Sequence, residues 1–103
     1  MSEKKTSSFH KIINSETPVL VDFYATWCGP CKAFAPTLDQ LKEDEGEKVR
    51  IIKIDVDRNA ELCQKLGVKS MPTVMLFQNG ELKWRAAGGQ SLATLKQQIA
   101  VLS

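Results

Sequence analysis

Two runs rich in β-branched residues, separated by one amphipathic helix, constrain the fold of this chain most strongly. The first run is PVLVDFYA, residues 18–25, and the second is VRIIKIDV, residues 49–56. The first is a nearly continuous run of β-branched and aromatic residues, a pattern typical of a strand buried on both faces of a sheet, and the second is also rich in β-branched residues. Between them, three large apolar residues recur at helical spacing in the otherwise polar segment 31–45. A strand, a crossover helix and a second strand form a right-handed βαβ unit, so we expect the two strands to be parallel.

The second half of the chain predicts a short helix, a hairpin and a closing helix. The short helix is expected over residues 59–66, where a candidate N-cap precedes an apolar face. Two predicted strands, 72–77 and 81–86, flank an Asn-Gly pair, which supplies the positive φ angles of a tight hairpin turn. After Ser91, a candidate N-cap, leucine and isoleucine recur at the helical period. The last two strands should therefore be antiparallel, and the chain should end in a helix.

Length and composition point to one globular domain. The chain has 103 residues, close to the commonest domain size, and contains no repeat or linker, so we expect a single domain over residues 1–103. Its net charge is +2 and its lysines and arginines are scattered, which gives no basic patch for nucleic acid. No segment approaches the length of a membrane-spanning helix, and no apolar run near the N-terminus resembles a secretory signal. We therefore expect a cytoplasmic protein, whose cysteines stay reduced unless they are catalytic or bind a metal.

The segment WCGPCK, residues 27–32, follows the first predicted strand directly and opens the next helix. Functional sites in open α/β sheets favour this edge. Pro30 suits the first helical turn, so Cys28 lies just before it, where free amide groups and the helix dipole lower a thiol pKa below its free value of ~8.5. We predict that Cys28 is a nucleophile. Cys31, one turn further in, is expected to be more buried and to act as the resolving thiol.

Other roles for the cysteine pair stay open at this point. Zinc requires four ligands, and the only further candidates, Cys63 and His10, do not form a second closely spaced pair, so we expect no metal site. Cys63 is interpreted as a small core residue, with a regulatory thiol as the alternative. A binding role, in which the fold clamps a partner whether or not its thiols cycle, is the alternative to an enzyme.

Two longer segments, VDFYATWCGPCK at 21–32 and SMPTVMLFQNGE at 70–81, resemble the thioredoxin family, and the resemblance covers roughly residue 8 to the C-terminus. It implies an α/β thioredoxin fold, with helices on both faces of a mixed central sheet. The family usually begins with a short edge strand, but no apolar run precedes the first helical segment here. We therefore expect four core strands, with strand 49–56 near an edge unless residues 3–6 cover it.

The resemblance also implies an activity and its partners. A thioredoxin reduces the disulfides of client proteins and is recharged by NADPH through a thioredoxin reductase. It binds no cofactor of its own. We therefore expect a monomeric protein-disulfide reductase whose partners are the reductase and its clients, without nucleic acid or membrane.

A groove for client proteins beside the dithiol is a further implication of the resemblance. Its floor is formed by Met71 and Pro72, whose peptide bond should be cis and whose main chain should receive an extended client. The rim is formed by Trp27, Gly29, Pro30 and Gly88. The second tryptophan, Trp84 on the last strand, is expected to pack in the core.

Asp22 interrupts the first apolar run. Burial disfavours the charged form of a carboxyl group and raises its pKa, and perturbed acids near a reactive centre are candidate proton carriers. The resemblance assigns a buried acid here to proton exchange with the resolving thiol, and Lys53 on the adjacent strand would tune it. The alternative is a structural acid that is tolerated because it pairs with Lys53.

Overall fold

The strands and helices follow one another along the chain in the predicted order. The computed structural model describes residues 2–102, with side chains from Lys5 onward. The elements are α1 (Ser2–Ile13), β1 (Val19–Tyr24), α2 (Gly29–Glu45), a 3-10 turn (Gly46–Lys48), β2 (Arg50–Asp55), α3 (Ala60–Lys65), β3 (Thr73–Gln78), β4 (Glu81–Ala87) and α4 (Leu92–Val101). Most boundaries agree with the sequence predictions to within about two residues, because turn residues and helix caps mark them.

The four strands form one mixed sheet in the order β2-β1-β3-β4. Strand β1 is parallel to β2 and antiparallel to β3, and β3 is antiparallel to β4. This arrangement confirms the predicted fold class. Residues 3–6 belong to α1, so they add no strand, and β2 is an edge of the sheet.

Apolar side chains cover both faces of the sheet, and β1 contributes to both. Its alternate residues Val19, Val21 and Phe23 pack with α1 and α3, whereas Leu20 packs with α2 and α4. Burial on both faces explains why this strand is a nearly continuous apolar run. Trp84 packs against the α2 and α4 side, as predicted, and Cys63 is buried on the α1 and α3 side.

Four chain connections meet at one end of the sheet because of the strand directions. The segments after β1, β2 and β4 and the segment before β3 all lie at this end. At the opposite end, Asn79 and Gly80 close the β3–β4 hairpin with φ angles of 53° and 80°. None of the helices in residues 2–102 is long and apolar enough to cross a membrane.

Candidate active site

The two cysteines of segment 27–32 form a disulfide at the start of α2, with their Cα atoms 5.3 Å apart. Cys28 has extended backbone angles and is the N-cap residue of the helix, and Pro30 lies in the first turn. The Cys31 amide donates a hydrogen bond of 3.1 Å to Cys28 Sγ. An amide donor at a helix start favours the thiolate form of a sulfur. The pair can therefore alternate between a disulfide and a reactive dithiol.

The expected difference in burial between the two cysteines is wrong. Cys28 is 5% exposed and Cys31 is 7% exposed, so the two bonded cysteines are buried to nearly the same extent. Their surroundings distinguish them better than burial does. Cys28 Sγ lies 3.5 Å from the carbonyl oxygen of Met71 and accepts a hydrogen bond from the Cys31 amide. Cys31 instead lines a cavity behind the disulfide.

The residues that were predicted to form a client groove lie around the disulfide. The Met71–Pro72 peptide is cis, and the Gly88 amide donates to the carbonyl oxygen of Pro72 at 2.7 Å. Trp27 is 66% exposed, which leaves a large apolar ring open to solvent at the rim. Gly29 and Pro30 are also exposed. The connections at this end of the sheet thus bring together residues from three distant parts of the sequence.

Asp57 holds the exposed indole of Trp27, a role that was not predicted from the sequence. The indole Nε1 donates to Asp57 Oδ2 at 2.9 Å. The Asp57 amide in turn donates to Asp55 Oδ1 at 2.9 Å, which shapes the turn after β2. A signal for Asp57 existed, because it follows a strand parallel to β1, and such strands end at the same edge of a sheet.

Gln90 supports the Gly88 side of the groove and was also missed. Its side-chain amide donates to the carbonyl oxygens of Ala87 at 3.3 Å and Gly88 at 3.1 Å. A cavity of about 290 Å³ separates this loop from Pro30 and the next turn of α2. Nothing in the sequence marks a lone glutamine for this task, because its partners are main-chain carbonyls.

Asp22 is buried in the same part of the molecule. It is 4% exposed, and its Oδ1 atom has no hydrogen-bond partner. Burial raises the pKa of Asp22 to about 6, and the positive charge of Lys53 opposes this shift. Lys53 is the register partner of Asp22 on β2. Asp22, Lys53 and Cys31 line one cavity of about 380 Å³ beside the disulfide, which is large enough to admit water.

The remaining candidates of the sequence lie apart from this site. Cys63 is 5% exposed, so it is a core residue. Its burial raises the pKa of its thiol, and the nearby negative charge of Asp55 raises this pKa further. Among residues 2–102, no three His, Cys, Asp or Glu side chains are grouped so that they could hold a metal ion. A cavity of about 600 Å³ lies between α1, β2 and α3, and the disulfide does not line it.

Comparisons with known proteins agree with this geometry. The thioredoxin family model matches residues 1–101. The chain is 43% identical over 90 residues to thioredoxin of Rickettsia felis, which covers 86% of each protein. It is also 43% identical over 88 residues to the chloroplastic M-type thioredoxin of Pisum sativum, but it spans 51% of that relative's length. The X-ray structure of Fasciola hepatica thioredoxin superposes with a TM-score of 0.84 at 32% identity, covering 95% of this chain and 94% of that one.

Proposed function

Because this chain belongs to the thioredoxin family, whose members are thiol–disulfide oxidoreductases with protein-disulfide reductase activity, we propose a role for each cysteine. The Cys28 thiolate attacks one sulfur of a client disulfide, which forms a mixed disulfide and releases the other client sulfur as a thiolate. The Cys31 thiolate then attacks Cys28 Sγ, which forms the Cys28–Cys31 disulfide and releases the second client thiolate. Two electrons pass from the dithiol to the client.

The position of the disulfide carries this proposal. Cys28 is the N-cap of α2, where its sulfur accepts an amide hydrogen bond that stabilises a thiolate. Its sulfur also faces the Met71 carbonyl at the groove, whereas Cys31 faces the cavity behind. A client that docks in the groove therefore reaches Cys28 first.

The groove supports docking of an extended client segment. The main chain of Met71 lies beside the Cys28 sulfur, so a client strand can pair with it while its disulfide meets Cys28. Trp27 offers an exposed aromatic face at the rim, and exposed apolar surface of this kind favours protein contacts. Gly29, Pro30 and Gly88 present little side-chain bulk, which leaves room for a client main chain.

Asp22 is proposed as the proton acceptor for the resolving step. It shares a water-accessible cavity with Cys31, and its pKa of about 6 keeps it largely ionised, hence basic, near neutral pH. Lys53 would tune this pKa through its charge on the neighbouring strand. The unpartnered Oδ1 atom is available to accept a hydrogen bond from a relaying water.

We further propose that the protein carries electrons from NADPH through a thioredoxin reductase to its clients. One relative, the bifunctional thioredoxin reductase/thioredoxin of Mycobacterium leprae, is 40% identical to this chain over 94 residues, which form 91% of this chain and 20% of that protein. A reductase and its thioredoxin joined in one relative support such a partnership here. We also propose that the protein is monomeric, that residues 1–103 form one domain and that it is located in the cytoplasm.

Insulin reduction tests the proposed function directly. The reduced chains of insulin precipitate, so turbidity should develop with thioredoxin reductase, NADPH and this protein together, and NADPH should be consumed in proportion. Omitting any one component should abolish both signals. A folded protein that is inactive here, but still binds a partner, would instead support the binding role.

Replacing Trp27 should weaken client docking without affecting the sulfur chemistry. We expect Trp27→Ala to raise the apparent KM for a protein disulfide by roughly three- to tenfold, since docking aromatics dominate many interfaces. Trp27→Phe and Asp57→Ala both remove the indole hydrogen bond and should have similar, smaller effects. Steady-state rates over a range of client concentrations measure this. An unchanged KM in Trp27→Ala would show that Trp27 does not contribute to client docking.

A further inference from the structure

Arg85 connects the last strand of the sheet to the end of α3. Its Nη1 donates to the carbonyl oxygen of Leu66 at 2.8 Å, and its Nη2 donates to that of Gly67 at 3.2 Å. Leu66 is the C-cap of α3, where carbonyl groups lack partners within the helix. Two donors of one planar guanidinium fix both the position and the direction of these consecutive peptide groups.

The segment that Arg85 holds leads directly into the groove. After Gly67, with a φ of 71°, the chain runs without helix or strand to the Met71–Pro72 peptide. Two other hydrogen bonds also hold this segment. The Val68 amide donates to the carbonyl oxygen of Cys63 at 2.9 Å, and the Thr73 hydroxyl donates to the carbonyl oxygen of Ser70 at 2.6 Å.

Arg85 also lies close to the other end of this segment through the sheet. It is the register partner of Met75 on β3, and β3 begins directly after Pro72. The guanidinium therefore ties the start of the segment to the same pair of strands that fixes its end. A segment anchored at both ends by one rigid sheet has fewer conformations to lose when a client binds.

We propose that Arg85 is a positioning residue for client binding: it fixes the segment 66–71 and so places the Met71 main chain for pairing with a client strand. This inference rests on the proposed groove. Arg85 bonds carbonyl groups of a connecting segment rather than the sulfurs, so its loss should affect docking and leave the exchange steps intact.

Arg85→Gln tests this role in the full chain. The apparent KM for a protein disulfide should rise roughly three- to tenfold, with kcat and the reduction of a small aromatic disulfide unchanged. Arg85→Lys keeps the positive charge but cannot donate to both carbonyl oxygens from one planar group. Its KM should therefore lie between those of the wild type and Arg85→Gln. Lys83→Gln is the matched control, since it removes the same charge from β4, where Lys83 pairs with Glu81. An unchanged KM in Arg85→Gln, or an equal rise in Lys83→Gln, overturns the proposal.

Hydrogen exchange distinguishes positioning from a general loss of stability. In Arg85→Gln, exchange of the amides at Lys69, Ser70 and Met71 should become faster, while the amides of α4 should keep their wild-type rates. Faster exchange throughout the chain would mean that Arg85 only stabilises the fold, and the proposal would fail.

A modified client separates this inference from the groove proposal. A disulfide peptide that is N-methylated at the residues flanking its attacked cysteine cannot donate main-chain hydrogen bonds to Met71. Methylation should weaken binding to the wild type, and less so to Arg85→Gln. If methylation weakens binding equally in both, the groove stands and the Arg85 role fails. If methylation has no effect on the wild type, pairing with Met71 is wrong and the Arg85 role fails with it.

Discussion

In Cys31→Ser, client proteins are expected to accumulate on Cys28 as mixed disulfides. The Cys28 sulfur still lies at the N-terminus of α2 beside Met71, so it can attack a client disulfide. A serine hydroxyl at position 31 cannot displace the client sulfur, so the covalent intermediate persists. Non-reducing gel electrophoresis with a purified disulfide client should show a new band, which a reducing agent removes. Steady-state reduction should fall to the background of the uncatalysed thiol reaction.

Cys28→Ser is the matched control for this experiment. It removes the sulfur that faces the groove and keeps the one that faces the cavity, so it should form no mixed disulfide and show no turnover. Cys63→Ser should trap no client either and should retain full activity, because Cys63 is buried in the core. Trapping by Cys28→Ser instead of Cys31→Ser would reverse the assignment of nucleophile and resolving thiol.

Replacing Asp22 should slow release of the client and leave the attack unchanged. Asp22 shares its cavity with Cys31, while Cys28 faces Met71 on the groove side. Without a base, the Cys31 thiol must lose its proton unaided, and we expect Asp22→Asn to slow release by up to about 100-fold. Stopped-flow fluorescence of both steps with a peptide client measures this. Equal slowing of both steps, or of neither, would make Asp22 a structural acid.

The pH dependence of release follows from the raised pKa of Asp22. With a pKa of about 6, the carboxyl group is mostly ionised at neutral pH and mostly protonated below about pH 5. Release by the wild type should therefore slow as pH falls through this range, and its rate should approach that of Asp22→Asn. A constant ratio between the two rates over the same range would contradict a role for Asp22 as the base.

Asp22 should also lower the stability of the fold above pH 6. In the native state it keeps its proton up to a pKa of about 6, whereas the unfolded chain releases that proton near 3.8. Between these values the native state binds more protons, so the stability due to this group falls as pH rises. The native and unfolded pKa differ by about two, which corresponds to roughly 3 kcal/mol in the free energy of unfolding. We expect Asp22→Asn to have a higher free energy of unfolding than the wild type at pH 7, by up to about 3 kcal/mol, and only a small advantage near pH 4.

Urea denaturation at several pH values between 4 and 7 measures this difference, and Asp44 supplies a control of opposite sign. Hydrogen bonds from Lys96 and Gln40 lower the pKa of Asp44, so its contribution to stability is present at neutral pH and is lost as pH falls. Asp44→Asn should thus be less stable than the wild type at pH 7, with a difference that shrinks in acid. If Asp22→Asn behaves like Asp44→Asn, burial does not dominate at Asp22.

Much of the site could be predicted because its parts are local in sequence. Cys28 and Pro30 are set by the start of one helix, and Asp22 is conspicuous because a charge interrupts an apolar strand. The asparagine-glycine turn and the cap at Ser91 were equally visible, since both depend on the chemistry of one or two residues. Ser91 Oγ accepts the Thr94 amide at 3.1 Å, as its position predicted.

The sequence alone did not reveal residues whose roles depend on contacts formed by the tertiary fold. Arg85 and Gln90 are ordinary polar residues in the sequence, and only the fold shows which carbonyls their side chains reach. Asp57 became part of the site because parallel pairing of β1 and β2 brings the ends of both strands to one edge. The equal burial of the two cysteines was likewise invisible, since it depends on what covers the disulfide.

The sequence by itself therefore determined the elements, the parallel and antiparallel pairing and the dithiol at the start of a helix. Periodicity, turn residues and helix caps act over a few neighbouring residues, so they can be seen without a structure. The tertiary structure decided the rest. It forms the cavity that Asp22 shares with Cys31, the hydrogen bond from Trp27 to Asp57, and the two hydrogen bonds from Arg85 to the carbonyl groups at the end of α3. These contacts join residues far apart in the chain, and such distances depend on how the whole sheet and its helices pack.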